Sequence, residues 1–334
     1  MDSGLILKRN MAIILFISIR KRGICVTFQT PRLEDKQLLD QYLKKVPYRG
    51  CEFSFANVYL WAPHYRTKFA VIDDFLVFHS EGEEPSFGFP LGSGDRKKVI
   101  DQLMAMCEAE GVPFRMHGIT SEMFEELEKL YPGKFEIKYV RDVADYIYAY
   151  EDLAYLKGKK LHGKRNHINR FMENNRWSYE NISKENIPDC VEMAEQWRSV
   201  NGCEEDEEKS AEMCVVLNAL KYFEQLELSG GLIRVEDKVV AFTIGEPVGQ
   251  DTFVVHIEKA FADIQGAYPM INQQFVLNHL AGYRYINREE DMGVEGLRKA
   301  KLSYNPAILL EKGVVCLKES PVTEQNICCC QTEA

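Results

Sequence analysis

The most informative stretch of this chain is GGLIRVEDKVVAFTIGEPVGQDTFVVHIEKAF, residues Gly230–Phe261. It contains three runs rich in β-branched and aromatic residues, separated by turn signals at Glu236-Asp237 and Gly249-Gln250. Runs of this kind joined by tight turns are typical of antiparallel strands. The stretch therefore predicts a three-stranded meander, in which the run VVHIEKA is the central strand of a larger sheet.

The elements on either side of the meander predict a mixed sheet flanked by helices. A helix is expected at residues 266–281, followed by the strand YRYIN (283–287), another helix and two closing strands. A basic helix, a strand at 177–182 and two further helices are expected before the meander.

The first half of the chain repeats this plan of helix, meander, helix, strand, helix and strand. Its expected strands include ICVTFQT (Ile24–Thr30), FANVYLW (Phe55–Trp61), a hairpin that turns at Asp73-Asp74, and ADYIYAY (144–150). Asp95 is expected to cap a helix. Each half resembles the acyl-CoA N-acyltransferase (GNAT) fold. We therefore predict an α+β protein with two tandem GNAT-like domains, each a mixed, mostly antiparallel sheet flanked by helices.

The domain organisation follows from this repeat. We predict an N-terminal extension at residues 1–22, a first domain at 23–150, a second domain at 151–319 and a disordered tail at 320–334. No Gly/Ser/Pro-rich linker separates the halves, so they are expected to pack closely with a cleft between them. The apolar run Met11–Ile19 is too short to span a bilayer, which requires about 20 residues. An extension outside the fold and a peripheral membrane contact both stay open for it.

Composition narrows the function classes. The 334 residues carry a formal net charge of −10, which discourages non-specific binding to nucleic acid or anionic lipid but leaves room for a local basic groove. Ten cysteines without a secretory signal predict a reducing, cytoplasmic location. No metal site is predicted, because no Cys-x-x-Cys pair occurs. The adjacent Cys328–Cys330 fit a disordered tail, with lipid modification or metal binding as alternatives.

Three stretches carry a closer resemblance: YLKGKKLHGKRNHINRF, HIEKAFADIQGAYPMINQQF and INREEDMGVEGLRKAKLSYNP. Together they resemble the soluble, largely uncharacterised proteins similar to the C-terminal domain of phosphatidylglycerol lysyltransferase, over roughly residues 24–319. The resemblance implies tandem GNAT-like domains and acyl or aminoacyl transfer. Characterised membrane members of that family move an aminoacyl group from a charged tRNA to a lipid headgroup. We predict no integral membrane segment like theirs in this chain, which disfavours a lipid acceptor. A small-molecule acceptor and a lipid-headgroup acceptor both stay open.

The loop DIQGAY (263–268) bears on the donor. Acetyltransferases hold a pyrophosphate at the corresponding strand-to-helix loop, where free N–H groups and the helix dipole favour anions. Gly266 is in place here and is assigned to substrate binding. However, Asp263 would repel phosphate and Tyr268 would crowd the backbone, so the loop argues against ordinary coenzyme A binding.

The basic stretch KGKKLHGKRNHINR (157–170) contains six Lys or Arg residues and no acid. A solvated helix face and an anion site are equally compatible with it. In the second interpretation, an anionic donor such as tRNA is bound by Lys160, Lys164, Arg165 and His167.

The catalytic prediction centres on Glu258. His256, Glu258 and Ala260 are expected on one face of the central strand, with Glu258 near its end, where the GNAT fold opens. Glu258 is the candidate general base, and an ion pair with Lys259 or Arg298 is the alternative.

The acidic cluster at 287–291 and the helix after it complete the predicted site. Lys301 and Tyr304 recur with Leu297 at helical spacing, on an apolar stripe where such residues are unusual. Snorkelling side chains would explain them structurally. In the functional interpretation, Tyr304 donates a proton or binds the oxyanion, and Lys301 stabilises the acyl carbonyl or a phosphate. Asp291 would bind an ammonium, and Asn287 and Arg298 would contribute to substrate binding.

The sequence as a whole predicts an acyl- or aminoacyltransferase with aminoacyl-tRNA or acyl-CoA as donor and no certain cofactor. A non-catalytic ligand sensor and an acyl-CoA N-acetyltransferase are the alternatives. A nucleophilic hydrolase is disfavoured, because no Gly-x-Ser-x-Gly motif occurs.

Overall fold

The computed structural model describes residues 26–82, 84–200 and 207–318, with the side chains of 207 and 208 left out. The predicted N-terminal extension, the tail with Cys328–Cys330 and most of the acidic run at 204–208 lie outside the described residues.

Helices and strands are interspersed along the described chain. The helices are α1 Lys36–Leu43, α2 Phe55–Tyr65, α3 Arg96–Glu110, α4 Ser121–Leu130, α5 Tyr150–Tyr155, α6 His162–Asn174, α7 Ile187–Val200, α8 Glu207–Lys221, α9 Ala267–His279 and α10 Glu295–Leu302. The strands are β1 Thr67–Ile72, β2 Phe75–Ser80, β3 Ser86–Phe87, β4 Leu91–Gly92, β5 Arg115–Ile119, β6 Phe135–Tyr139, β7 Asp145–Ala149, β8 Trp177–Asn181, β9 Ser229–Val235, β10 Lys238–Val248, β11 Thr252–Ala260, β12 Tyr285–Asn287, β13 Ile308–Leu310 and β14 Gly313–Leu317.

Two mixed sheets carry the fold, as the tandem GNAT-like prediction requires. The first runs in the order β1-β2-β3-β5-β14-β6, with β4 beside β2. The second runs in the order β13-β7-β12-β11-β10-β9-β8. Sheet membership does not follow the order of the chain: β7 lies in the second sheet and β14 in the first. The predicted boundary at residue 150 therefore separates two stretches that each contribute a strand to the other's sheet.

The predicted meander is confirmed. The turns at Asp73-Asp74 and Glu236-Asp237 have the positive φ values that tight hairpins need. Asp95 caps α3, because its carboxylate accepts a hydrogen bond from the amide of Lys98 at 3.1 Å.

The strand prediction for FANVYLW is wrong, since Phe55–Tyr65 forms α2. This helix is buried on several sides, so apolar residues fill most of its positions and hide the helical period. Its first turn is held from the other half of the chain: the amide of Ala56 donates to Glu246 at 2.8 Å. In the described part of ICVTFQT, pairing is limited to a single bridge between Gln29 and Phe69.

The hydrophobic core joins the two halves. One cluster runs from the first sheet to the face of the second sheet that is covered by α7 and α8. A second cluster fills the opposite face, beneath α5, α6 and α9. None of the helices in the described part of the chain combines the length and apolar character that crossing a bilayer requires.

Candidate functional site

A cleft opens where two parallel strands separate. β11 and β12 pair only from Thr252 to Val254 and from Tyr285 to Asn287. Beyond these residues the last part of β11 has no partner on that side within this pairing, while residues 288 and 289 continue the backbone hydrogen bonding with Tyr146 of β7. Side chains from the two strand ends, from α6 and from α9 meet in this space.

A β-bulge determines which side chains face the cleft. The pairing of β10 with β11 slips between Ile244 and Gly245, so that His256 is the extra residue. As a result His256 and Glu258 meet different elements: His256 contacts Glu246 and the first half, whereas Glu258 contacts α9. The prediction that they share one face is wrong. The glycine inside β10 was the sequence signal for the bulge.

Glu258 is held in the cleft by two donors. One carboxylate oxygen accepts from Arg288 Nη2 at 2.7 Å, and the other accepts from Asn272 Nδ2 at 3.0 Å. The expected alternative partners Lys259 and Arg298 lie elsewhere, on Glu212 and on Asp291. Both Glu258 and Arg288 are largely buried, at 12% side-chain exposure each.

An aromatic ring and two cations complete the cleft. The Lys164 ammonium lies 4.1 Å from the ring centroid of Tyr304, and the Arg288 guanidinium lies 4.9 Å from it. Burial raises the pKa of Tyr304 even though Arg288 opposes this, so the phenol stays protonated at neutral pH. Burial lowers the pKa of Lys164. The structure thus brings together three predicted residues, Glu258, Tyr304 and Lys164, around Arg288.

Two buried polar atoms beside Glu258 lack partners among the described residues. They are Arg288 Nη1, a donor, and Asn272 Oδ1, an acceptor. Buried polar atoms are nearly always hydrogen-bonded, and an exception needs an explanation such as a ligand or an ordered water. One donor and one acceptor beside the Glu258 carboxylate are thus enclosed without a hydrogen-bond partner among the described residues.

Lys301 lies behind the cleft rather than in it. Its ammonium donates to the carbonyl oxygens of Arg288 at 2.6 Å and Glu289 at 3.1 Å, and also to that of Glu290. Burial lowers the pKa of Lys301. These contacts fix the backbone that carries Arg288, so the geometry gives Lys301 a positioning role, and its contact with substrate stays a prediction.

Asp291 forms a separate ion pair with Arg298. The Asp291 carboxylate is fully buried and accepts from Arg298 at 2.7 and 2.9 Å, as well as from Arg141, Tyr146 and the amide of Gly293. Its hydrogen bond with Arg298 is the main reason that the pKa of Asp291 lies well below its usual range. Protein donors thus occupy the carboxylate that was predicted to bind an ammonium, and that role stays a prediction.

Asn287 is also buried and engaged. Its side-chain amide donates to the carbonyl oxygen of Arg49 and to Asp145, both at 2.8 Å. It therefore joins β12 to the first half of the chain. Its proposed contact with substrate stays a prediction.

The four residues predicted to bind an anionic donor lie on or just before the basic helix α6, and they differ in their surroundings. Lys160 and His167 are exposed, whereas Lys164 reaches the cleft. Arg165 donates to two carbonyl oxygens in the turn between α5 and α6 and so fixes that turn.

Gly266 lies against the same helix. A Cβ atom at Gly266 would be 2.4 Å from the carbonyl oxygen of His167, and its φ is +89°. Its glycine identity is therefore explained by close packing of α6 on the start of α9. The amide of Ala267 already donates to Ile264, and Pro269 has no N–H, so few amides are free for a pyrophosphate.

On the other face of β11, His256 lies between two carboxylates. Glu289 is 2.7 Å from Nδ1 and Glu246 is 3.2 Å from Nε2. Burial disfavours charge on this imidazole, but the hydrogen bonds to both glutamates outweigh burial and raise the pKa of His256 to about 10. An imidazolium bonded on both sides links β10, β11 and the loop after β12.

Sequence reasoning missed Arg288 and Asn272 as members of the site. Asn272 interrupts the buried apolar face of α9, and an isolated amide on such a face was a usable signal. Arg288 was recognised only as part of the acidic cluster, because the pattern of a three-residue strand does not fix which side its next residue faces.

The chain is similar to known proteins in sequence and in fold. Residues 43–315 match the family described as phosphatidylglycerol lysyltransferase, C-terminal. An uncharacterised protein of Mycoplasmoides gallisepticum is 21% identical over 192 residues, which span 55% of this chain and 59% of that protein. The match therefore covers less than two thirds of that relative.

Two solved structures are similar to the fold. A conserved protein of unknown function from Bacteroides thetaiotaomicron is 44% identical, with a TM-score of 0.83, over 88% of this chain and 100% of its own. The C-terminal domain of a putative lysylphosphatidylglycerol synthetase from Agrobacterium fabrum is 13% identical, with a TM-score of 0.60, over 86% and 92%. The second similarity shows a shared fold alone.

Proposed function

Since this chain belongs to the family of phosphatidylglycerol lysyltransferase C-terminal domains, we propose that it transfers an aminoacyl group from aminoacyl-tRNA to an amine or hydroxyl acceptor. The acceptor would be a small molecule or a lipid headgroup, and the reaction would take place in the cytoplasm.

The observation that carries the proposal is the pair of unpartnered atoms beside Glu258. An aminoacyl ester offers a carbonyl oxygen that can accept from Arg288 Nη1, and an attacking amine offers an N–H that can donate to Asn272 Oδ1. Leaving such atoms without partners would cost about 1–3 kcal/mol each, and more for a charged group. A substrate with these groups would recover that cost.

The residues of the cleft can then be given roles. Glu258 retains lone pairs beyond the two bonds it accepts, so it would take the proton of the acceptor as the nucleophile adds to the carbonyl. Arg288 Nη1 would donate to the oxyanion that forms. Tyr304, kept protonated by burial, would give its proton to the departing ribose oxygen. Lys301 would hold the loop that places Arg288.

The donor site is supported by α6. Lys164 links the basic helix to the catalytic cleft, so an anionic donor bound along α6 would present its reactive end to Glu258. The packing of Gly266 against His167 covers the start of α9, where an acyl-CoA pyrophosphate would bind. Both features favour aminoacyl-tRNA over acyl-CoA.

The test compares binding and transfer in matched variants. Purified protein would be titrated with acetyl-CoA, uncharged tRNA and aminoacyl-tRNA at low and physiological salt. Transfer of labelled amino acid from tRNA would then be measured with pooled amines and lipids as acceptors. We expect salt-sensitive binding of the charged tRNA. We also expect Glu258→Gln to lower transfer by about 100-fold or more, with tRNA binding changed by less than about twofold.

Arg170→Met is the matched control, because it removes a positive charge from the exposed side of α6. It should weaken tRNA binding at physiological salt and leave the rate at saturation unchanged, whereas Lys164→Met should lower both. Preferential binding of acetyl-CoA would overturn the proposal in favour of an acyl-CoA enzyme. Binding of aminoacyl-tRNA with no transfer to any acceptor would point to a sensor.

A further inference from the structure

A second cavity lies on the other side of the loop after β12, remote from Glu258. It has a volume of about 480 Å³ and lies between α2, the first sheet and the residues around Glu290. Its walls include Phe53, Val58, Trp61, Phe78, Phe89 and Val314. Concave sites of this size with apolar walls and a few polar groups are typical of small-molecule binding.

The polar end of this cavity is built around a buried lysine. The Lys312 ammonium lies 2.7 Å from Glu52, 2.8 Å from Asp145 and 4.0 Å from Glu290. Cys51, Glu52 and Asp145 are spaced closely enough to hold a metal ion. However, the ammonium of Lys312 already lies among these three groups, so we assign no metal to them.

The three carboxyl groups at the polar end of the cavity differ in how many hydrogen bonds they accept. Asp145 accepts from Lys312, from Asn287 and from the amide of Cys51. In contrast, one oxygen of Glu52 has no hydrogen-bond partner among the described residues. Glu290 contacts the Cys51 thiol at 3.6 Å and is otherwise 4.0 Å from the ammonium.

The two poorly satisfied carboxylates, Glu52 and Glu290, are the ones that line the cavity. A single ammonium serves three carboxyl groups, so ionisation of all three would leave excess negative charge at this end of the cavity. His117 also lines it but adds no compensating charge, because burial lowers its pKa to about 4. Burial raises the pKa of Glu290 to about 8 and also raises the pKa of Glu52. At neutral pH Glu290 is therefore mostly protonated, and an ammonium group bound beside it would favour its ionised form.

We propose that this cavity is a binding site for an amphiphilic primary amine. The ammonium group would bind between Glu52 and Glu290, and the apolar body would lie along the aromatic wall formed by Phe53, Trp61 and Phe89. The proposal stands apart from aminoacyl transfer, since it concerns binding at a different group of residues.

The test uses three probes of equal chain length: octylamine, 1-octanol and octanoate, each below its micelle concentration. Affinity would be measured by isothermal titration calorimetry and by the fluorescence of Trp61, which lines the cavity. We expect octylamine to bind at least about tenfold more tightly than octanol, since a charge-assisted hydrogen bond contributes about that factor. Octanoate should bind most weakly.

Two isosteric variants locate the amine. Glu290→Gln and Glu52→Gln should each lower octylamine affinity about tenfold while changing octanol affinity by less than about twofold. Glu136→Gln is the matched control, because this exposed glutamate on β6 lies away from the cavity and should change nothing. The comparison of probes on the unaltered protein needs no variant, so a variant that fails to fold does not block the test.

Three results would overturn the proposal. Tighter binding of octanoate would show that Lys312 selects anions. Equal binding of the three probes would show that the polar end plays no part, and absence of binding by all three would show that the cavity takes no such ligand. None of these results would bear on transfer from aminoacyl-tRNA, which is measured separately at the cleft.

Discussion

Replacing Lys301 with methionine tests whether this residue holds the catalytic loop or contacts substrate. Methionine keeps the apolar length of the side chain but removes three hydrogen bonds to the carbonyl oxygens of residues 288–290. Each hydrogen bond from a charged donor contributes about 1.5–3 kcal/mol, so the gross loss exceeds about 4 kcal/mol. The variant also lacks the desolvation cost of a buried ammonium, which is several kcal/mol and offsets part of this loss. We therefore expect the free energy of unfolding to fall by about 2–3 kcal/mol.

The assay is urea unfolding followed by far-UV circular dichroism, and the matched control is Lys299→Met. Lys299 is on the same helix but is 73% exposed and pairs with Glu295, which is itself exposed. Its replacement should change the free energy of unfolding by less than about 0.5 kcal/mol. A Lys301→Met protein as stable as the Lys299→Met protein, yet inactive in transfer, would refute the positioning role and restore direct contact with the acyl carbonyl.

Two further changes test the packing and charge described above. Gly266→Ala should lower the free energy of unfolding by about 1–3 kcal/mol or more. The new Cβ atom would sit on a backbone with positive φ and would collide with the backbone of α6. Gly163→Ala, which meets no atom within 4 Å, should raise stability by about 0.5–1 kcal/mol; equal effects of the two would contradict the packing argument. His256→Asn tests the imidazolium, whose pKa is raised to about 10 from its ordinary value of about 6.5. The stability that this charge contributes is complete below about pH 6.5 and is lost as pH rises through about 10, so the stability gap between parent and variant should shrink over that range. A gap that is independent of pH would mean a neutral imidazole.

Most of the fold could be predicted because its signals are local. The meander of β9, β10 and β11 depends on turn residues and on runs of strand-forming residues that lie within one short stretch. The helix cap at Asp95 likewise depends on residues close in sequence, since Asp95 accepts from the amide of Lys98. By contrast, α2 was mistaken for a strand because its first turn is held by Glu246, 190 residues away in the sequence. A contact between residues so far apart in the sequence cannot be detected from the local pattern of apolar residues.

The sequence predicted several residues of the candidate site correctly but did not predict how they are arranged. Glu258, Tyr304 and Lys164 were chosen separately from chemistry and spacing, and the structure places all three around one arginine. The bulge at His256 was missed even though a glycine inside β10 signals it, and this bulge sends His256 and Glu258 to opposite faces of the sheet. A single extra residue reverses the alternation of a strand, so every assignment of a face beyond it depends on detecting the bulge.

The exchange of strands between the two sheets has a consequence for how the protein is made. β14, at Gly313–Leu317, lies between β5 and β6, which are separated in the sequence only by α4. The first sheet therefore cannot be completed while the ribosome is still making the second half. Until residue 317 emerges, β5 and β6 present unpaired edges that can bind other nascent chains. Synthesis and folding are thus uncoupled for this chain: the part that is made first is among the last to close.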